Sequence, residues 1–155
     1  MLVYVGDSKR LRTRIRQHCK GNVESSALRK TIAMKMGFEI IKEKRPSGSS
    51  KLSIDSDAER IVSNYIQTGK WRVVICSSVE EARDFQWYVI DKTRPTLNKY
   101  MQFWKTNSED RYANLLDTLL DSAPVEFNYT LEVSTESGVY SLWHEIEPKQ
   151  FITQT

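Results

Sequence analysis

The sequence predicts an α/β (α+β) fold in which a small, mainly antiparallel sheet is flanked by helices. Apolar runs of strand length alternate with stretches in which apolar residues recur every three or four positions. Glycine, proline or serine punctuates most of the boundaries between them. The chain has 155 residues, enough for one domain with a buried core, and shows no internal repeat and no long linker.

Leu2-Val3-Tyr4-Val5-Gly6 is an apolar run closed by glycine, which reads as a buried strand entering a turn. Residues 8–18 are helical in character, with Leu11, Ile15 and Cys19 on one face and Lys9, Arg10, Arg12, Arg14, Arg16 and Lys20 on the others. Ser25 suits the N-cap of a helix running to about Met36 and ended by Gly37. Residues 38–42 read as a strand and residues 44–51 as a polar, basic, flexible loop. Asp55 or Ser56 opens a helix carrying Ala58, Ile61, Val62, Tyr65 and Ile66, closed by Gly69. Residues 71–76 form a strand. Ser77 or Ser78 starts a helix with Val79, Ala82, Phe85, Val89 and Ile90 at helical spacing, and Pro95 ends that region. A further helix covers 108–120. Two strands, 127–133 and 139–144, surround a turn at 134–138.

Charge is unevenly placed. Residues 1–51 hold 13 Lys/Arg against 4 Asp/Glu, whereas residues 52–155 hold 10 against 16. Such a basic segment is the footprint of a polyanion, and nucleic acid fits better than a membrane because no exposed apolar stripe accompanies the cations. No apolar run reaches transmembrane length and no N-terminal signal pattern is present. Cys19 and Cys76 read as buried thiols without zinc spacing, which suits a reducing, cytoplasmic setting.

Tyr4 closes a strand, and Arg14 and His18 lie four apart on the helix that follows, so their side chains share one stripe near the strand's end. A phenol can relay a proton, a guanidinium can clamp a phosphate and an imidazole can bind or shuttle. These residues resemble the second half of the GIY-YIG nuclease motif, in which a Tyr-Ile/Val-Gly strand is followed, eight residues after its glycine, by an arginine. Gly6 and Arg14 have that spacing, and His18 sits where many members carry a histidine. Residues 21–30 are similar to a loop-and-helix segment of some bacterial members, and Pro95-Thr96-Leu97-Asn98 resembles the family's closing Pro-x-x-Asn. The resemblance implies one GIY-YIG-like domain with its core in residues 1–100 and a helical connection at 105–122.

The first half of the motif, a Gly-Ile-Tyr strand, normally lies upstream, yet only three residues precede Tyr4. Gly138-Val139-Tyr140 looks much like that strand. A circular permutation accounts for this, because domain termini are often close in space. A strand exchanged between two copies of the chain is the other account.

The family also holds a divalent metal, Mg²⁺ by resemblance, on a helical glutamate about 12 residues before the closing asparagine. That position is Gln86 here, a neutral amide and a poor ligand for a hard cation. Three explanations stand: a variant made to trap substrate uncut, a natural pseudo-nuclease, or service by another carboxylate, Glu81, Asp84 or Glu59. Helical phase puts Glu81 and Asp84 well around the helix from position 86.

The resemblance implies metal-assisted phosphodiester hydrolysis of DNA, double-stranded by preference. Tyr4 or Tyr140 would deprotonate water, Arg14 would stabilise phosphate charge, His18 would orient a tyrosine or touch phosphate, and Asn98 would fix local structure. Arg10, Arg12, Arg16, Asn22, Ser25, Arg29, Lys30, Lys44 and Arg45 are the expected nucleic-acid contacts. Trp71, Trp87, Phe103 and Trp104 are candidates for stacking on bases. The alternatives are an inactive nucleic-acid-binding module of the same fold and an adaptor in which Arg29, Lys30 and Arg45 meet an acidic protein.

Overall fold

The structure, a computed structural model, describes residues 1–99 and 104–154. Its first strand, β1 (Leu2–Ser8), leads into α1 (Leu11–Lys20) and α2 (Ala27–Lys35). A hairpin follows, β2 (Ile41–Lys44) and β3 (Ser50–Ser53), and then α3 (Ser56–Thr68), β4 (Lys70–Ile75) and α4 (Val79–Thr93). After α5 (Glu109–Asp121) come β5 (Val125–Glu126), β6 (Gly138–Trp143) and α6 (Pro148–Thr153). The main sheet has the order β1-β6-β4-β5 with every pair antiparallel, and β2-β3 forms a separate ribbon.

The helix starts follow from local chemistry. The side chains of Ser26, Asp55 and Ser78 accept hydrogen bonds from the backbone N–H groups of Arg29, Asp57 and Glu81, covering donors that a first turn leaves unpaired. Asp57 and Glu59 add negative charge to the first turn of α3, where the helix dipole favours it. At α1 the covering is tertiary. The backbone N–H groups of Leu11 and Arg12 donate to the carbonyls of Glu136 and Ser134 in the loop before β6.

Helices cover both faces of the sheet. On one face Leu11, Ile15, Leu28, Ile32, Val62 and Tyr65 pack with Trp71, Tyr140 and Leu142. On the other, Phe85, Val89 and Leu119 pack with Val5, Val74 and Val139. Val3 and Val5 should share a face by strand alternation, yet they belong to opposite cores. The register explains it: Leu2 pairs with Trp143 and Tyr4 with Leu142, so Val3 is an extra residue. This bulge turns Val3 and Tyr4 together toward α1, on the side of Leu142.

Several expected elements differ. Gly6 lies inside β1 rather than at its closing turn. Ser26, not Ser25, caps α2. Phe38 and Ile40 pack on the core without entering a ladder, and pairing begins at Ile41. The basic loop at 44–51 is the tip of the β2–β3 ribbon, turning at Gly48 with φ +87°. Residues 127–133 are not a strand: Phe127–Glu132 is 3-10 helical, because β1 and β4 occupy both edges of β6. Helix α6 was not foreseen. It packs near His144, whose ring stacks on Tyr65 at 4.1 Å.

Candidate active site

Tyr4, His18 and Tyr140 meet where β1, α1 and β6 adjoin. The bulge directs Tyr4 there, and Tyr140 arrives from the facing strand as the register partner of Gly6. A Cβ at Gly6 would lie 2.3 Å from the Tyr140 hydroxyl, so glycine is required for the phenol to cross the β1 backbone. The Tyr4 ring centroid lies 6.2 Å from that of Tyr140 and 5.9 Å from that of His18.

His18 is fully buried and bonded at both nitrogens. Its Nε2 is 2.6 Å from the Tyr140 hydroxyl and its Nδ1 is 2.6 Å from the Ser26 hydroxyl. Either neutral tautomer completes this chain, since both hydroxyls can donate or accept. Burial, and then the guanidinium groups of Arg14 and Arg29, hold the imidazole well below its usual pKa. Ser26 was not anticipated in this role. Its signal is the cap position before α2, which places its oxygen on the His18 side of the helix start.

Both phenols are pushed above the ordinary tyrosine range, in each case chiefly by burial. Tyr140 is the more deeply enclosed of the two. For Tyr4, the neighbouring Tyr140 hydroxyl and the Arg14 charge act against the burial. Arg14 is half-buried beside the pair. Its Nη1 donates to Gln17 Oε1 at 2.6 Å and to the Ser25 carbonyl at 3.2 Å, which fixes the guanidinium across the turn between α1 and α2.

Tyr4 opens into a cleft of about 730 Å³ between α2, α4 and the 96–99 segment. Gln86, Trp87, Met34, Lys30 and Lys35 line it as well. Asn98 is a further lining residue, and its side-chain amide is bonded both ways to β1. Its Oδ1 accepts from Val5 N at 2.8 Å and its Nδ2 donates to Val5 O at 2.9 Å. Tyr140 does not line the cleft, so of the two phenols Tyr4 is the one a ligand there can reach.

The donor set does not fit a divalent cation. Gln86 brings a neutral amide to the cleft, and no group of three His, Cys, Asp or Glu able to hold a metal exists among the described residues. The alternative carboxylates are engaged elsewhere. Glu59 accepts from Arg29 Nη2 and Val23 N, both at 3.0 Å. Glu81 accepts from Ser77 and pairs with Arg111, and Asp84 accepts from Tyr112 and from Lys105 N. Glu81 and Asp84 face a separate crevice against α5.

The expected nucleic-acid contacts divide sharply. Arg29 is a correction: it is fully buried, and its guanidinium donates to the carbonyls of His18, Cys19 and Glu59, to Glu59 Oε1 and to Ser63 Oγ. It therefore meets neither DNA nor an acidic partner. Arg12 donates from Nε to the Val133 carbonyl and is half-buried. Asn22 and Ser25 build the turn before α2, Asn22 Oδ1 accepting from the N–H groups of Glu24 and Ser25. Arg10, Arg16, Lys44 and Arg45 are exposed, and Lys30 lines the cleft. Among the tryptophans, Trp71 is core, stacked on His18, and Trp104 packs on Tyr88 and donates to Asp91. Only Trp87 of the stacking candidates in the described residues lines the cleft; Phe103 lies outside them.

A family model described as the GIY-YIG catalytic domain matches residues 1–116. No curated protein and no solved structure matches the chain.

Proposed function

The chain belongs to the GIY-YIG catalytic-domain family, whose members are nucleases that act on DNA and generally use divalent metals, and from that premise we propose that it is a DNA-binding nuclease domain attenuated at its metal position. The observation that carries this reading is the pairing of an assembled Tyr4–Tyr140–His18 cluster beside Arg14 with an amide, Gln86, in the cleft where a carboxylate is needed. Tyr4 is the base toward water because it faces the cleft. As a phenolate its oxygen takes the proton from water, and the Tyr140 hydroxyl, held by His18 Nε2 at 2.6 Å, donates a hydrogen bond that steadies that phenolate. Arg14 stabilises the charge that builds on the phosphate. Burial keeps the Tyr4 phenol protonated at neutral pH, so this base is slow there.

Binding is supported by the exposed cations of α1 and the β2–β3 ribbon. Arg45 pairs with Glu24 on the turn whose Ser25 carbonyl holds Arg14, so the ribbon adjoins the site. A two-stranded ribbon is an element that the DNA major groove can admit. The strand arrangement supports a permuted origin, with β6 in the place of the family's upstream strand. The pairing of β6 with β1 and β4 of the same chain supports this account over a strand exchanged between two copies.

Gln86→Glu tests the reading. The side chains are nearly isosteric, so metal-dependent cutting of DNA should appear at least about 100-fold above the parent chain, within the range of a lost electrostatic group. Arg14→Ala in that background should abolish it. A Gln86→Glu protein inert on linear, supercoiled and branched DNA would leave a binding module; rapid cutting by the parent chain would show that position 86 is not the metal position.

A further inference from the structure

The cleft beside Tyr4 has more room and more apolar wall than a phosphate needs. Its volume of about 730 Å³ lies within the roughly 300–1,000 Å³ of small-molecule sites. Met34, Trp87, Ile90 and Leu97 supply that apolar wall. Met34 is 59% exposed although it is a large apolar side chain on a helix that packs elsewhere, and Trp87 is half-buried. Around them stand Lys30, Lys35 and Lys99. An apolar slot ringed by cations and opening onto a phosphate-acting group is complementary to one ligand class: a nucleotide, with a flat base and an anionic backbone.

We infer that the Trp87 cleft receives a single unpaired nucleobase adjoining the phosphodiester held at Tyr4, so that the preferred DNA carries an unpaired nucleotide. This rests on the nuclease reading and narrows its substrate. A paired base can enter only after it is unstacked and unpaired, a cost that a bulged, flapped or single-stranded base does not carry. The indole offers a stacking platform, and the flexible thioether of Met34 can close over the other face of a base. Gln86 fits this use. Its amide presents a donor and an acceptor to a base edge and leaves the slot uncharged, whereas a carboxylate would offer acceptors only. The lysines hold the flanking phosphates and, being point charges on flexible stems, impose no sequence.

Binding is measured by fluorescence anisotropy without divalent metal, comparing a fully paired duplex, the same duplex with a one-nucleotide bulge bearing 2-aminopurine, and a single strand. The bulged DNA should bind at least about ten-fold tighter than the duplex, the scale of stacking one base on an aromatic ring. The 2-aminopurine emission should fall at saturation as its ring stacks on the indole. Trp87→Ala should bring the bulged DNA to the affinity of the duplex. Equal binding of bulged and paired DNA, unchanged emission at saturation, or an equal loss for both DNAs in Trp87→Ala would each overturn the cleft assignment alone. Failure to bind any of the DNAs would overturn the nucleic-acid reading with it. Should Trp87→Ala not fold, the emission of the unaltered protein decides.

Discussion

His18 shows how one position can serve packing and chemistry together. Its place four residues after Arg14 was legible in the sequence, but its burial and its bond to Ser26 were not, because both depend on the angle between α1 and α2. Its lowered native pKa means that the unfolded chain, titrating near 6.5, takes up a proton that the native fold refuses. Stability should therefore fall as pH drops below about 6.5 and go on falling until the native His18 value is reached. Ring nitrogen chemical shifts should report a neutral His18 from pH 7.5 to 5.5 in the folded protein; a cationic signal near pH 6 would contradict this. Tyr4 gives the opposite limb. With its pKa above 10, the fraction of phenolate rises throughout the accessible range, so cleavage by Gln86→Glu should climb with pH and show no plateau below pH 10. Gly6 is the other informative residue. The sequence suggested a turn, whereas the structure uses the missing Cβ to admit the Tyr140 phenol. Gly6→Ala should cost about 1–3 kcal/mol in urea unfolding, and less in a Tyr140→Leu background where the clash is relieved.

Among the elements, those with their own punctuation were legible: α3 between Asp55 and Gly69, α4 from Ser78, and β4 as an apolar run. Those decided by partners were not. Residues 127–133 have strand-like composition but meet a sheet whose central strand is already paired on both sides. The bulge at Val3 is equally invisible, since alternation alone would send Tyr4 to the face opposite Val3. The β2–β3 ribbon is the element on which binding can be tested. Its exposed Lys42, Lys44, Arg45 and Lys51 stand clear of both cores. Changing all four to alanine should weaken duplex binding and reduce its salt slope by roughly one unit per lost phosphate contact. An unchanged slope would place the ribbon outside the interface. Arg29 provides the contrast. It was grouped by charge with these cations, but Arg29→Met should lower stability by about 3 kcal/mol through the loss of a buried ion-paired group, near the lower end for such pairs because Glu59 keeps some solvent.

At the scale of the whole molecule, the sheet is completed by strands from the two ends of the sequence. The Met1 ammonium donates to the His144 carbonyl at 2.9 Å, and His144 N donates to the Met1 carbonyl at 3.0 Å. The chain therefore leaves β6 beside the point where it enters β1, and α6 lies between the two in any circularised order. If β6 stands in for an upstream strand, its covalent position should matter little, because the fold needs its register with β1 and β4 and not its connection to 122–137. A permutant can be made by linking residue 155 to residue 1 with a short flexible linker and opening the chain at Ala123, an exposed position between α5 and β5. It should fold cooperatively with a urea midpoint close to that of the parent. It should also keep the 2.6 Å bond between His18 and Tyr140, visible as an unchanged His18 ring-nitrogen shift. Loss of folding there, together with loss at a second opening in the exposed 46–49 turn, would show that the present connectivity is required and would remove the case for a permuted origin.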